Sequence, residues 1–320
     1  MGTCRVERQA RIFVAGHRGL VGSALVEELQ RQGYNNILTV RHRDLDLTDQ
    51  AKTYAWFDRE RPDVVAMCAA KVGGILANDS YPGDFIGQNL MMQTNVIEAS
   101  RRYGVSKLMF VASGCAYPRM SPQPIKEEYL LTGPLEKTNE WYAIAKIAGI
   151  KMVQAYRRQY GLNGFSVMPP NLYGPGDSFD LAASHVIPSL LRKVHEAKLS
   201  GSSTVSVWGT GQARREFLYV DDLANACVFL LQNYSDEGLV NIGSSEEHTI
   251  EELVNTIINV VGYGGRIEYD RSRPDGTPRK LLDSTRLLAM GWKPKVPLRE
   301  GLRRMYEWFL SHQEELRLTL

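Results

Sequence analysis

Tyr142 and Lys146 are four residues apart and could together transfer a proton to a carbonyl group. In the predicted helix 141–160, residues at positions i and i+4 lie on the same side. A nearby ammonium group favours tyrosinate and lowers the tyrosine pKa from its usual ~10. Tyr142 could then exchange a proton with a carbonyl that is being reduced. A Tyr-x-x-x-Lys spacing is also that of an ordinary surface pair, so its meaning depends on the fold around it.

Three further side chains could belong to the same site. Ser113 directly follows the predicted strand 107–112, where its hydroxyl could hold a substrate carbonyl oxygen. Cys115 could act as an acid or a base toward a carbon acid. Composition alone, however, favours a buried and inert thiol at that position. His185 becomes relevant only if the fold places it opposite Cys115.

Apolar strands alternate with helical segments in the first half of the chain. This alternation predicts an α/β fold, a Rossmann-type doubly wound parallel sheet with helices on both faces. Such sheets bind ligands at the carboxyl ends of their strands. The predicted strands are 11–15, 37–40, 64–67, 107–112 and 165–168, and the predicted helices are 20–31, 51–59, 84–103 and 141–160.

The second half of the chain predicts a smaller substrate-binding domain. Segment 169–177 is crowded with Pro, Gly and Asp, which predicts a loop. Later patterns predict helices at 186–198, 222–232, 250–261 and 298–316, and strands at 203–208 and 239–242. We therefore expect a Rossmann domain over 1–168, to which 212–242 returns, and a C-terminal domain formed by 169–211 and 243–320.

A glycine-rich segment, Gly16-His17-Arg18-Gly19-Leu20-Val21-Gly22, lies between the first predicted strand and the first predicted helix. Glycines in this G-x-x-G-x-x-G pattern permit a tight turn and a close approach of the backbone to a pyrophosphate. The amino end of the following helix favours the phosphate charge. At this place in an alternating fold, the pattern predicts dinucleotide binding.

Residues after the second predicted strand favour NADP over NAD. A carboxylate that would hold a ribose 2′-hydroxyl is expected about 20 residues after the glycines. The sequence instead has Arg41 and Arg43, which suit a 2′-phosphate, and Arg18 could add a contact. Asp44 and Asp46 leave open the alternative of a solvated charge cluster.

Composition limits the remaining possibilities. The chain has 320 residues, is 43% hydrophobic and carries a net charge of +2, so it favours neither nucleic acid nor a membrane surface as a partner. No stretch approaches the ~20 apolar residues that span a bilayer. The four cysteines, Cys4, Cys68, Cys115 and Cys227, show neither zinc-site spacing nor a disulfide framework. We expect a cytoplasmic protein without a metal.

Several strings together resemble the GDP-L-fucose synthase family. This family comprises the GDP-4-keto-6-deoxy-D-mannose 3,5-epimerase-4-reductases of the extended short-chain dehydrogenase/reductases. The strings are V-A-G-H-R-G-L-V-G-S-A, A-A-K-V-G-G-I, N-E-W-Y-A-I-A-K-I-A-G-I-K, S-H-V-I-P, V-W-G-T-G, R-E-F and R-P-D-G-T-P-R-K. The resemblance extends from about Arg11 to Trp308.

The resemblance implies a role for each candidate residue. Ser113, Tyr142 and Lys146 resemble a reductase triad, and Cys115 with His185 resembles the pair that exchanges protons at C3 and C5. The implied NADP(H)-binding residues are Gly16, His17, Arg18, Gly19, Leu20, Val21, Gly22, Arg43, Lys146, Asn171, Leu172, Tyr173, Gly174 and His185. The implied contacts to the GDP-linked 4-keto-6-deoxy sugar are Lys193, Trp208, Arg215 and Asp275. The resemblance also implies a homodimer that is formed by the helices 84–103 and 141–160.

The chain departs from the family pattern near these residues. The family string S-S-C-I-Y-P is here S-G-C-A-Y-P, with Gly114 and Ala116, and P-T-N-L-Y-G has Pro170 in place of Thr. The strings D-N-F and N-S-H are changed at Ser178 and Ala183. Two alternatives therefore stay open: an impaired paralogue that serves as a dinucleotide-binding partner, and another NAD(P)-dependent nucleotide-sugar epimerase or dehydratase.

Overall fold

The computed structural model describes residues 5–181, 184–273, 275–314 and 316, without the side chains of residues 75 and 76. The strands are β1 (Ile12–Ala15), β2 (Ile37–Leu38), β3 (Val64–Met67), β4 (Lys107–Val111), β5 (Gly164–Met168), β6 (Asn171–Tyr173), β7 (Thr204–Trp208), β8 (Arg214–Tyr219), β9 (Leu239–Asn241), β10 (Glu247–Thr249), β11 (Arg266–Asp270) and β12 (Arg279–Lys280). The helices are α1 (Leu20–Arg31), α2 (Gln50–Glu60), α3 (Ile75–Ser80), α4 (Pro82–Arg102), α5 (Glu140–Tyr160), α6 (Val186–Ser200), α7 (Val220–Asn233), α8 (Ile250–Val261), α9 (Thr285–Ala289) and α10 (Leu298–Ser311).

The main sheet is parallel and has the order β2-β1-β3-β4-β5-β9. After β1 the chain moves to β2 on one side, and it then crosses to β3 on the other side of β1. This reversal creates a crevice at the carboxyl ends of β1 and β3, where doubly wound sheets bind ligands. The predicted α/β fold class is confirmed.

Helices cover both faces of this sheet because the side chains of each central strand alternate between two cores. In β1, Phe13 belongs to the core on one face and Val14 to the core on the other. Leu108 and Met109 of β4 divide in the same way. Side chains of α2, α4 and α5 complete the first core, and those of α1 and α7 complete the second.

A smaller lobe has its own core. It is formed by α6, α8 and α10 together with β6, β7, β8 and β11. Strand β8 pairs with β6, β10 and β12, and β11 pairs with β7. Segment 212–242 joins both lobes, since β8 lies in the smaller sheet, whereas α7 packs against α1 and β9 pairs with β5.

Two local predictions were wrong. The predicted loop 169–177 contains β6, because Asn171–Tyr173 pairs in parallel with the distant segment Phe217–Tyr219. The predicted helix 298–316 ends at Ser311, whose hydroxyl donates to the carbonyls of Glu307 and Trp308. Side-chain bonds of this kind compete with continuation of the helix.

Candidate active site

The glycine-rich loop packs too closely for side chains at two of its positions. Gly16 has a φ of +84°, and a methyl group there would lie 2.7 Å from Ala69 Cα, just beyond β3. A methyl group at Gly22 would lie 2.1 Å from the Gly16 carbonyl oxygen. The N-cap of α1 is Gly19, which has no side chain to occupy the free amides. The loop therefore leaves the amino end of α1 open to an anion.

The three arginines that the sequence singled out for the cofactor phosphate differ in their contacts. Arg18 is exposed, and its guanidinium has no partner among the described residues. Arg41 Nε lies 2.7 Å from Asp44 Oδ2, whereas Arg43 Nε is 3.6 Å from Asp44 Oδ1. All of these side chains are on the surface, where such pairs contribute little. Arg18 and Arg43 are thus available to a phosphate.

Ser113 and Tyr142 are brought together at the carboxyl end of β4. The Ser113 hydroxyl accepts a hydrogen bond from the Cys115 backbone N–H at 3.3 Å, and it lies close enough to the Tyr142 hydroxyl to influence its pKa. Burial, and then the charge of Cys115, raises the pKa of Tyr142, against a smaller lowering by Ser113. The expected lowering of the Tyr142 pKa by Lys146 is therefore wrong for this structure. The phenol keeps its proton at neutral pH and is suited to donate it.

Lys146 is buried, with 3% of its surface exposed, and its ammonium contacts the end of β4. Its Nζ donates to the Val111 carbonyl oxygen at 2.9 Å and lies 5.8 Å from the centroid of the Tyr142 ring. This distance explains why the ammonium does not offset the effect of burial on the phenol. Burial lowers the pKa of Lys146 to about 8, so loss of its charge falls near the physiological range.

Close packing of α5 fixes the position of this pair. A methyl group at Gly149 would lie 2.3 Å from Phe110 Cζ, so α5 approaches β4 closely. From α4, the Gln93 amide donates to the Ala145 carbonyl oxygen at 2.7 Å inside the core. These contacts, together with the Lys146 bond, hold the helix against the carboxyl end of the sheet.

Cys115 lies in a short 3-10 turn, Gly114–Ala116, that packs on α5. Its thiol is half-buried, and Asn139 Nδ2 donates to Cys115 Sγ at 3.3 Å. The fully buried thiol that composition favoured is thus wrong, since Cys115 is partly exposed and its sulfur accepts a hydrogen bond. Arg215 is also close enough for its guanidinium and the Cys115 thiolate to interact.

His185 occupies the N-cap of α6 without capping the helix. His185 is exposed at the surface. Nearby protein atoms nevertheless partly desolvate its imidazole, and this lowers the imidazole pKa. Among the described residues, its imidazole makes no hydrogen bond. No hydrogen bond therefore links it to any of the other four catalytic candidates. Ala183, one of the departures from the family pattern, lies outside the described residues.

The candidate substrate-binding residues form two linked pairs. Lys193 Nζ lies 5.5 Å from the ring centroid of Trp208, a residue that is 53% exposed. Arg215 Nη2 donates to the Asp275 backbone carbonyl oxygen at 3.2 Å. Burial lowers the pKa values of Lys193 and Arg215, so both cations are partly stripped of water and would gain from an anionic partner. Arg215 connects this surface to Cys115.

The candidate cofactor-binding residues 171–174 lie in and directly after β6. Asn171 Nδ2 donates to the Glu216 carbonyl oxygen at 3.3 Å. The Tyr173 ring is buried in the core of the smaller lobe, and its hydroxyl donates to Leu298 O at 3.4 Å. Gly174 has a φ of +155°, and a methyl group there would lie 2.6 Å from Val220 Cγ1. Tyr173 can therefore offer a cofactor its main chain and not its ring.

Comparison with known proteins places the chain in a family. The model of the NAD dependent epimerase/dehydratase family matches residues 12–243. GDP-L-fucose synthase 1 of Arabidopsis thaliana is 57% identical over 306 residues, which are 96% of this chain and 95% of that protein. This chain belongs to the GDP-L-fucose synthase family. The resemblance that the sequence strings predicted is confirmed.

Solved structures agree with this membership of the GDP-L-fucose synthase family. A GDP-L-fucose synthetase from Naegleria fowleri bound to NADP has a TM-score of 0.91 at 29% identity, covering 98% of this chain and 96% of that chain. MlghC, a GDP-mannoheptose C4 reductase from Campylobacter jejuni with NADP bound, has a TM-score of 0.87 at 36% identity, covering 95% and 99%.

Three polar contacts of this GDP-L-fucose synthase family member were not predicted from the sequence. Thr210 donates from its backbone and its hydroxyl to the two carboxylate oxygens of Asp275, at 2.7 and 2.8 Å. The guanidinium carbon of Arg273 lies 5.1 Å from the Trp208 ring centroid. Asn139 contacts Cys115. Thr210, Arg273 and Asn139 all lie in or beside strings that carry the family resemblance. Their partners are distant in sequence, so only the structure reveals these contacts.

Two observations limit other classes of function. Among the residues that the structure describes, no group of three or more His, Cys, Asp or Glu side chains could hold a metal ion. In the same part of the chain, no helix is both long and apolar enough to cross a membrane.

Proposed function

We propose that this protein catalyses the NADPH-dependent 3,5-epimerisation and C4 reduction of GDP-4-keto-6-deoxy-D-mannose to GDP-L-fucose. The observation that carries the proposal is the position of Ser113. Its hydroxyl accepts from the backbone N–H of Cys115 and lies beside the Tyr142 phenol, whose pKa it lowers slightly. The candidate proton-exchanging thiol therefore lies directly beside the candidate reductase pair, so one bound sugar could be reached by both.

Epimerisation requires a carbanion next to the ketone. The C4 carbonyl acidifies C3 and C5, and the Ser113 and Tyr142 hydroxyls would stabilise the enolate oxygen by donating to it. Inversion needs a base on one face of the carbon and an acid on the other. Cys115 and His185 take these two roles. The lowered pKa of the His185 imidazole makes its protonated form a readier proton donor, so His185 suits the role of the acid and Cys115 that of the base.

Reduction uses the same oxygen-binding groups. NADPH, when bound, supplies the hydride that reduces C4. Tyr142 donates its proton to the carbonyl oxygen. Its raised pKa keeps the phenol protonated until that step. Lys146 holds the nicotinamide ribose beside this phenol, and Ser113 orients the carbonyl. The chain's own residues thus position the ketone, the proton and the ribose at the end of β4.

The residues of the loop after β1 fit NADPH. Gly16 and Gly22 leave no room for side chains, and the amino end of α1 is open to a pyrophosphate. Arg18 and Arg43 would hold the 2′-phosphate, with His17, Gly19, Leu20 and Val21 completing the loop. The backbone of Asn171–Gly174, together with His185, would contact the nicotinamide end.

The GDP part of the substrate would bind to the smaller lobe. Lys193 and Arg215 suit the diphosphate electrostatically, since both are partly desolvated cations. Trp208 offers an exposed ring to the base, and Asp275 holds the Gly209–Gly211 turn through Thr210. We propose the predicted division into a cofactor-binding domain (1–168 with 212–242) and a substrate-binding domain (169–211 and 243–320) with one change: β8, which carries Arg215, belongs to the smaller lobe, and only α7 and β9 return to the main sheet.

Assembly and location are proposed from surface features. Large apolar side chains on α4 and α5 are exposed: Met91, Trp141 and Tyr160. Their burial between the α4–α5 pairs of two copies would give a homodimer, and sedimentation at micromolar concentration would test it, a monomer contradicting it. Cys68, Cys115 and Cys227 are free thiols, which suits a reducing compartment such as the cytoplasm.

The decisive experiment follows NADPH oxidation at 340 nm with GDP-4-keto-6-deoxy-mannose and identifies the sugar product by chromatography. GDP-L-fucose is the expected product. Cys115→Ser should abolish epimerisation and still reduce C4, because Ser113 accepts from the backbone N–H that this variant keeps. A C4-reduced but unepimerised product from the wild type would contradict the roles of Cys115 and His185. Absence of turnover in protein that binds NADPH would favour an impaired paralogue.

A further inference from the structure

Asn139 occupies the N-cap of α5 but does not cap the helix. Asn is among the best N-cap residues, because its side-chain oxygen can accept from the free amides of the first turn. Here no side chain caps α5, and Asn139 Oδ1 is buried without a hydrogen-bond partner. The helix thereby forgoes a stabilising contact, and a buried acceptor is left unpaired. A purely structural role does not explain this choice.

The amide group of Asn139 is used for one contact only. Its Nδ2 donates to Cys115 Sγ at 3.3 Å, and this is its only side-chain hydrogen bond among the described residues. Asn139 directly precedes the first residue of α5 and lies three residues before Tyr142. The contact therefore ties the thiol to the helix that bears the tyrosine and the lysine.

The donated hydrogen bond favours one state of the sulfur. An N–H donor stabilises a thiolate more than a thiol, because bonds to charged acceptors are the stronger ones. Two titratable groups also interact with the sulfur: the Tyr142 phenol on α5 and the Arg215 guanidinium on β8. The phenol stays neutral near pH 7, and Arg215 is a cation, so neither opposes a thiolate. Asn139 is the one neutral donor to Sγ in the described structure.

We propose that Asn139 is a positioning residue for proton exchange: its amide orients Cys115 and stabilises the thiolate at the expense of capping α5. The inference rests on the proposed function for its catalytic meaning. The contact itself concerns only the chemistry of the thiol, so it can be tested without the sugar substrate.

The test measures the alkylation of Cys115 by iodoacetamide as a function of pH, using mass spectrometry of the Cys115 peptide in the full-length protein. Asn139→Ala should raise the pH midpoint of the alkylation rate by about one unit, since a hydrogen bond to a charged group corresponds to roughly a tenfold effect. Asn139→Asp should raise it further, because a carboxylate repels a thiolate. Thr138→Ala, in the same turn, is the matched control and should leave the midpoint unchanged.

Asn139→Asp also separates this role from a structural one. Asp caps helices well and its charge suits the amino end of α5, so this variant should unfold at or above the wild-type temperature while its thiol titrates later. It also keeps the test available if Asn139→Ala fails to fold. A wild-type midpoint in a folded Asn139→Asp protein would overturn the proposal.

Turnover distinguishes failure of this proposal from failure of the proposed function. In Asn139→Asp, deuterium incorporation from solvent at C3 and C5 should slow relative to NADPH oxidation, with more unepimerised product. If the wild type makes no GDP-L-fucose but the midpoints shift, the proposed function fails and the role of Asn139 toward the thiol stands. If GDP-L-fucose forms and the midpoints do not move, the role of Asn139 fails alone.

Discussion

Gly114 packs directly against Pro169 and Pro170. Its N–H donates to the Pro169 carbonyl oxygen at 3.1 Å, and a methyl group on Gly114 would lie 3.2 Å from that oxygen and 4.0 Å from Pro170 Cα. Two departures from the family pattern, Gly114 for Ser and Pro170 for Thr, therefore touch each other.

This contact predicts non-additive stability. Gly114→Ser alone should lower the free energy of unfolding by about 1 kcal/mol. The added side chain would press on the Pro169 carbonyl oxygen, and Pro170 restricts the movement of that carbonyl. Pro170→Thr should relieve that restriction, so the double variant should be more stable than the sum of the single changes by about 0.5–1 kcal/mol. Urea unfolding of the four proteins measures this coupling. Additivity within the error would contradict it.

The pH dependence of reduction should report the ionisation of Lys146. Burial lowers its pKa to about 8, and its charge holds the ribose beside Tyr142. The rate of NADPH oxidation should therefore fall as the pH rises above about 8. Lys146→Arg should be slower but should lose this alkaline limb, because guanidinium stays charged throughout the range. An unchanged limb in that variant would assign it to another group.

Nucleotide recognition should depend on Trp208, whose ring is exposed and lies near Lys193 and Arg273. Trp208→Ala should raise KM for the GDP-sugar about tenfold, since stacking on a base is typically worth about 1–3 kcal/mol. It should leave kcat nearly unchanged, because the base is remote from C4 and binds equally in the ground and transition states. Leu199→Ala, another exposed residue near Lys193 in sequence, is the control. A fall in kcat without a change in KM would exclude this role.

The sequence predicted the main sheet well because its signals are local. Apolar runs such as 64–67 are bounded by helical patterns, and α1 and α8 begin and end where the spacing predicts. Strand β6 was missed because the strand with which it pairs, β8, lies some 45 residues away. The direction of the Tyr142 pKa was also wrong, since burial and the distance to Lys146 are tertiary properties. Asn139 stood within a recognised string, but only the structure shows that it contacts Cys115 instead of capping α5.

Stability near neutral pH should depend on Asp177, a buried carboxyl in the loop before α6. Its Oδ1 accepts from the Ser178 N–H at 2.8 Å, whereas Oδ2 is buried without a partner. Burial raises the Asp177 pKa to about 7, and Ser178 opposes this only in part. Between pH ~4 and ~7 the folded state binds a proton that the unfolded state has released, so this group makes stability fall as the pH rises through that window.

Asp177→Asn should remove this dependence. The amide keeps an acceptor for Ser178 and carries no charge to bury, so the variant should gain about 1–3 kcal/mol over the wild type at pH 8, with one pKa unit corresponding to ~1.4 kcal/mol. The gain should shrink toward pH 5, where the wild-type carboxyl is already protonated. Urea unfolding at pH 5, 6.5 and 8 measures the difference, with Asp180→Asn in the same loop as an exposed control. If the stability difference between Asp177→Asn and the wild type did not change with pH, the raised pKa of Asp177 would be contradicted. The carboxyl would then be ionised in the folded protein.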